Sequence, residues 1–226
     1  GQDYLLVGRV SGGLTVQYEL FDVARQQRLI GLIKSGPDSA VRDIAHQIAD
    51  EVYEKITGVR GAFWTRIAYV SVQGLGKSAK FDIMVADADG HGARSVASSN
   101  APLMSPTWSP DGRKLAYVSF ESGNSAIYVQ DLAGGQRERV AAFAGINSAP
   151  SFSPDGRRLA MTLSKSGNPE IYVMDLGSKS LTQVTNQSGI DTAATWSADG
   201  GSLYFTSDRG GRPQIYRASP GGGGAT

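Results

Sequence analysis

The sequence predicts a mainly β protein built of repeated four-stranded units and preceded by part of a small α/β region. Three observations carry that prediction. A set of residues recurs every 44 positions after Gly61. Turn formers are in excess, with Gly 29 and Pro 9 in 226 residues, about 17% where about 12% is usual, and without the Gly-X-Y period of a collagen. The apolar spacing switches to a helical period only once, between Ser39 and Thr57.

The first sixty residues read as a short sheet and one helix. Tyr4–Val10 and Leu14–Val23 form two strands joined by Ser11-Gly12-Gly13, the second alternating Val16, Tyr18 and Leu20 with Thr15, Gln17 and Glu19, as a half-buried strand does. Leu29–Lys34 adds a third strand before Gly36-Pro37 breaks the pattern. From Ser39 to Thr57 the residues Val41, Ile44, Ala45, Ile48, Val52 and Ile56 fall on one helical face. Asp38 or Ser39 is available as N-cap and Gly58 as the C-terminal stop. Glu51 and Lys55 stand four apart on the polar side, a minor support.

The repeat begins with Trp108-Ser-Pro-Asp-Gly112, Phe152-Ser-Pro-Asp-Gly156 and Trp196-Ser-Ala-Asp-Gly200, each 44 residues from the next. Leu115, Leu159 and Leu203 share the register. So do Gly123, Gly167 and Gly211, and then Ile127, Ile171 and Ile215 with the tyrosines that follow them. A looser first copy places Ile83 and Asp87 one period earlier, while Ile67–Ser71 matches Leu115–Ser119 at 48 residues, so this unit carries extra residues around Gly74 to Lys80. Each unit reads as four short antiparallel strands: one ending in Trp or Phe, the Ser-Pro-Asp-Gly turn, Leu115–Phe120, a Ser-Gly-Asn turn, Ala126–Asp131, Gly134-Gly135, and a last strand near Arg137 to Ala141. Four strands in this period are the blade of a β-propeller. Helical solenoids are excluded, because helices do not survive this density of Gly, Pro and β-branched residues.

Counting strands predicts about three and a half blades. The first unit supplies three strands from Arg66, the next two are complete, and the fourth runs to Ile215-Tyr216-Arg217 before Ser219-Pro-Gly. The first blade then lacks its innermost strand and the last its outermost. The expected division is residues 1–60 as the C-terminal part of an N-terminal α/β domain and 61–226 as an incomplete propeller. The start at Gly1-Gln2-Asp3-Tyr4, without Met, reads as a mature or cut chain.

Chemistry is sparse. Lys plus Arg total 22 against 21 Asp plus Glu, so nothing drives wholesale phosphate binding and no nucleic-acid partner is expected. Cysteine is absent, which removes disulfides, thiolate metal sites and a Cys nucleophile. No apolar run reaches the length of a membrane span. No Gly-x-Ser-x-Gly elbow occurs, and the histidines are His46 on the helix and His91 in a turn. Asp87-Ala-Asp89-Gly90-His91-Gly92 resembles the start of a calcium loop, but Ser98 stands where a bidentate Glu is needed. Asp87 shares a column with Asp131 and Asp175, so the segment reads as a turn. Asp111, Asp155 and Asp199 read as turn formers, and Trp108, Phe152 and Trp196 as packing between blades. Gly74-Leu-Gly76-Lys77 has the wrong spacing for a phosphate loop. No catalytic, cofactor or metal residue is expected.

What remains is a binding scaffold, whose recognition residues are most easily varied in loops. The segments before each innermost strand, Met104–Pro106, Asn147–Pro150 and Asp191–Ala194, carry different chemistry at one register position.

The runs Asp50-Glu-Val-Tyr-Glu-Lys-Ile-Thr-Gly58, Gly61-Ala-Phe63, Thr65-Arg-Ile-Ala-Tyr-Val70, Pro102-Leu-Met-Ser-Pro106, Trp108-Ser-Pro-Asp-Gly112, Phe120-Glu-Ser-Gly123 and Tyr172-Val-Met-Asp-Leu176 form a distinctive set. Together they resemble the TolB family, the periplasmic components of the Tol-Pal envelope system of Gram-negative bacteria. The resemblance covers essentially the whole chain and implies an α/β domain joined to a six-bladed propeller without enzymatic activity. It implies binding of the peptidoglycan-associated lipoprotein Pal through the propeller face and of TolA through an N-terminal segment that would lie before Gly1. Outer-membrane integrity, envelope constriction at division and exploitation by certain colicins follow from the same resemblance. Carried onto this chain, the Pal-facing residues are Met104, Ser105, Asn147, Ser148, Ala149, Asp191, Thr192 and Ala193. The rival expectation is a propeller gating a serine peptidase encoded beyond Thr226; a lectin or adaptor propeller is a third.

Overall fold

In a computed structural model residues 3–226 are described. They form two compact units, one of the residues up to 67 together with 86–93, the other of 68–85 with 94–226.

The first unit opens with a meander of β1 (Tyr4–Ser11), β2 (Thr15–Asp22) and β3 (Gln27–Ser35), in that spatial order. Tyr4 pairs with Asp22 and Ser11 with Thr15, so the tight Gly12-Gly13 turn sets the register. Helix α1 (Val41–Thr57) packs on β3, and Tyr18, Leu20 and Ile44 are buried between helix and sheet. Gly58 ends α1 as expected, in the left-handed conformation at φ 73 with its N–H on the Glu54 carbonyl. The start differs. Asp38–Ala40 form a 3-10 turn led by Pro37, whose φ of -65 suits a helix entry, and Ala40 takes the N-cap position with no side-chain bond. Glu51 also differs: it pairs with Lys34 at 2.7 Å and accepts a hydrogen bond from the Tyr18 hydroxyl. Lys34 on β3 and Tyr18 on β2 converge on that carboxylate, and a partner held by packing replaces the flexible neighbour at i+4. Burial and the Glu51 bond push the Tyr18 phenol well above its usual range.

The repeat forms four sheets. The first is β4 (Arg66–Gln73), β5 (Lys80–Asp87) and β6 (Arg94–Ser99). The second is β7 (Leu103–Trp108), β8 (Lys114–Ser119), β9 (Ala126–Asp131) and β10 (Arg137–Ala141). The third is β11 (Asn147–Phe152), β12 (Arg158–Leu163), β13 (Glu170–Asp175) and β14 (Leu181–Gln183). The fourth is β15 (Asp191–Trp196), β16 (Leu203–Ser207) and β17 (Gln214–Ala218). All pairs given a register within these sheets are antiparallel. A further bridge joins Ala218 to Ala225, in the register of Met174 with Leu181 and Gln130 with Arg137. The fourth sheet has three strands, without an outermost one as expected, and this isolated bridge marks the register where the outermost strand pairs in the second and third sheets.

Successive sheets stack face to face through three cores. Ile83, Val85, Leu103, Leu115 and Tyr117 join the first to the second; Ala116, Ile127, Leu159 and Met161 join the second to the third; Ile171, Ala194, Leu203 and Phe205 join the third to the fourth. Phe152 is buried in the second core, and Trp108 and Trp196 pack partly buried against the first and third. The aromatic column is packing, and Trp196 also donates its indole N–H to the Ser151 carbonyl at 3.0 Å in the preceding sheet.

The Asp-Gly turns serve one local network. Ser109 Oγ donates to Asp111 Oδ1 at 2.6 Å and accepts from the Lys114 N–H at 2.9 Å, while the Arg113 N–H reaches Asp111 at 3.0 Å and Gly112 sits at φ 66. Ser153 with Asp155 and Ser197 with Asp199 repeat it. The serine hydroxyl, then the backbone N–H, holds each carboxyl below the usual range.

Candidate partner-binding site

The first strands of the units lie side by side, β11 against both β7 and β15. Each is bulged at the same place. The ladder shifts between Met104 and Thr107, between Ser148 and Ser151, and between Thr192 and Thr195. Inside each bulge one non-glycine residue is left-handed: Ser105 at φ 52, Ala149 at φ 48 and Ala193 at φ 56. Three small residues in a conformation that L side chains avoid, 44 residues apart, make one feature built three times. Bulges re-aim side chains, and strained backbone collects at functional surfaces.

The eight candidate residues lie within these strands and not in the loops before them, because pairing already begins at Leu103, Asn147 and Asp191. The structure separates them into two groups. Met104 and Ser105 are exposed, Ala193 is exposed, and Ser148, Ala149 and Thr192 are half-buried. Asn147 and Asp191 are fully buried. Asn147 donates through Nδ2 to the carbonyls of Phe143 and Gly145 and accepts from the Phe143 N–H. Asp191 pairs through Oδ2 with Arg209 at 2.6 Å, and its Oδ1 is buried without a partner. Both residues shape the rim from inside.

Sequence reasoning picked out Met104 among the apolar residues of this rim but not Ile190. Ile146 is 46% exposed and Ile190 49%, in one register column with Pro102, and Met104 is 50% exposed. Between the second and third sheets lies a cavity of about 480 Å³, lined by Met104, Val118, Phe120, Ile146 and the backbone of Gly123 and Gly145. A concave, mainly apolar recess beside exposed apolar side chains is the anatomy of a protein-docking surface. The shared column of Ile146 and Ile190 was the available signal. Among the exposed or half-buried positions of the three bulged segments there is no ionisable side chain.

In the first unit, the turn after β5 behaves as its register predicts: the Asp87 N–H bonds to the His91 carbonyl and the Gly90 N–H to that of Asp87. The ring of His46, not that of His91, joins its carboxylates. His46, Asp87 and Asp89 present ligand atoms within 4.8 Å of one another. Arg42 lies among them, with Nη2 2.5 Å from Asp89 and Nε 3.7 Å from Asp87. Its guanidinium stands where a cation would sit. The His91 N–H, then Arg42, holds the Asp89 carboxyl below its usual range.

Antiparallel sheets of a 44-residue repeat, stacked face to face with their first strands adjacent, are blades of a β-propeller. A family model, the TolB beta propeller domain, matches residues 53–226. The chain belongs to that TolB propeller family. It is 64% identical over 150 residues to the Tol-Pal system protein TolB of Xanthomonas campestris pv. campestris (strain B100), across 65% of this chain and 34% of that protein. The crystal structure of TolB from Acinetobacter baumannii is similar over the whole chain at 44% identity and a TM-score of 0.90, with 57% of that chain covered. A putative TolB from Agrobacterium tumefaciens, 17% identical with a TM-score of 0.62 over 100% of this chain and 80% of its own, shares the fold. The 150 matched residues span about a third of the length of the curated relatives.

Proposed function

We propose that this chain is a non-enzymatic scaffold of the Tol-Pal system in the periplasm, binding the lipoprotein Pal through the bulged rim of its propeller. The observation that carries the reading is the threefold bulge with left-handed Ser105, Ala149 and Ala193, set beside an exposed apolar surface in a member of the TolB family. Met104, Ser105, Ser148, Ala149, Thr192 and Ala193 are the contact residues, and Asn147 and Asp191 hold the strands that present them. Binding of TolA through an N-terminal segment, support of outer-membrane integrity, envelope constriction at division and use by colicins belong to the same reading. So does the division of labour between a small α/β region up to about residue 60 and a propeller after it.

The test is a titration of the full-length protein with the soluble domain of Pal. Thr192 sits in the bulge with its hydroxyl 3.4 Å from that of Thr162. Thr192→Arg sets a long charged side chain on an uncharged surface and lowers affinity at least tenfold, a cost typical of a central interface position. Unchanged affinity removes this rim as the Pal site.

A further inference from the structure

The unit that departs from the 44-residue period carries its additional residues at one place, the loop between β4 and β5. That loop holds Leu75, which at 89% is the most exposed large apolar side chain among the described residues. A single exposed leucine needs no explanation. This one differs in how it is held and where it stands.

The loop is built, not slack. The Leu75 carbonyl accepts from both the N–H and the hydroxyl of Ser78, at 3.3 and 2.9 Å, and the Ala79 N–H bonds to the Gly76 carbonyl. Gly74 and Gly76 flank Leu75 at φ 80 and φ 57. A Cβ on Gly74 would come within 2.8 Å of the Ser78 carbonyl oxygen, so the turn requires glycine there. Ala79 is buried beneath it. The turn is fixed by its own hydrogen bonds and holds a leucine away from the core, in water.

The place follows from the repeat. β4 and β5 correspond to β8 and β9, and the two sheets stack through Ile83, Val85, Leu115 and Tyr117. The β4–β5 loop thus leaves the same end of its sheet as the β8–β9 loop, whose Phe120, Gly123 and Asn124 line the 480 Å³ recess beside Met104 and Ile146. Leu75, Met104, Ile146 and Ile190 all belong to that end. Pre-organised apolar groups are the anchors that supply most binding energy in a docking surface, because little conformational freedom is lost when they are covered.

We propose that Leu75 is an apolar anchor of the same rim, covered when Pal docks there, and that the extended β4–β5 loop tunes affinity for that partner. The inference rests on the Pal reading and adds to it a residue outside the three bulges. Because Leu75 is almost wholly exposed, its replacement leaves the core of the fold untouched.

The experiment titrates full-length protein with the soluble domain of Pal, using unmodified protein, Leu75→Ser, Leu75→Met and Thr192→Arg. Leu75→Ser is expected to weaken binding about tenfold, the loss of one anchor, while Leu75→Met keeps apolar bulk and stays within about twofold. If Leu75→Ser binds like the unmodified protein while Thr192→Arg is weakened, Leu75 lies outside the docking surface and the Pal reading stands. Equal weakening by Ser and Met assigns the effect to the loop and overturns the anchor. Failure of the unmodified protein to bind Pal overturns both.

Discussion

Asn147 and Asp191 occupy the same register position in successive units, both fully buried, yet they hold their strands by different chemistry. Asn147 alone serves two carbonyls and one N–H of the preceding loop. An aspartate cannot donate to the equivalent carbonyls, and in its unit Asn168 does so, at 2.7 Å to Gln187 and 2.6 Å to Gly189. Glu170 accepts the Gln187 N–H at 2.7 Å. Asp191 is left to face Arg209, whose guanidinium also lies over Tyr216 at 4.7 Å and whose Nε–H bonds to Ser207. The loop keeps its shape while the groups that satisfy it change.

That exchange predicts a strong coupling between Asp191 and Arg209. Asp191→Ala leaves a mostly buried guanidinium without its counter-ion and costs about 3 kcal/mol of stability, read from urea denaturation. Arg209→Gln in the same background recovers part of the loss, giving a double-mutant coupling above about 1 kcal/mol. Additive effects of the two substitutions count against a cooperative pair.

The left-handed residues predict an unusual response to glycine. Ala149→Gly relieves a conformation costing an L residue about 1 kcal/mol and raises or leaves unchanged the denaturation midpoint, despite the added freedom of the unfolded chain. Ala149→Val, β-branched at positive φ, lowers stability by 1 kcal/mol or more on the same order-of-magnitude reckoning. Ser105 and Ala193 respond alike. A midpoint lowered by glycine and spared by valine contradicts the bulge geometry.

The turn aspartates predict an acid-sensitive term. Asp111, Asp155 and Asp199 have carboxyls held below their ordinary range by a serine hydroxyl and a backbone N–H. A carboxyl depressed in the folded state stabilises above its unfolded value, about pH 4, and that contribution is lost as pH falls through the folded value. The double variant Asp111→Asn, Asp155→Asn is therefore less stable than the unmodified protein at neutral pH, and the gap narrows in acid. A gap that is constant with pH assigns the turns to shape alone.

The architecture was legible because the repeat writes each strand and turn several times, so that Leu115, Leu159 and Leu203 vouch for one another. Features present once were harder. Pro37 and the 3-10 turn displaced the expected cap at Asp38 or Ser39, and Glu51 on the helix found Lys34 on the sheet, a contact no helical spacing reveals. The candidate rim was legible as a register position but not as an exposed one. Strand alternation ordinarily tells inside from outside, yet an added residue at Ser105, Ala149 or Ala193 breaks the alternation in the segment where it was needed. Asn147 and Asp191 therefore read as surface residues and proved internal.

The Ser-Asp turn network closes over six consecutive residues, from Ser109 to Lys114 and again from Ser153 and Ser197. Contacts between sheets are written in the same columns: Trp196 reaches back to Ser151, and Arg158 reaches forward to Gly200 at 3.4 Å and over the Trp196 ring at 4.6 Å. A 44-residue segment thus brings with it both the fastening of its own hairpin and half of each joint with its neighbours. Tandem duplication or deletion of one whole segment keeps each hairpin fastening intact and re-forms those joints that are written in shared columns. The unit of the fold and the unit of the sequence therefore coincide, so that a segment carries its own folding instructions wherever it stands in the series.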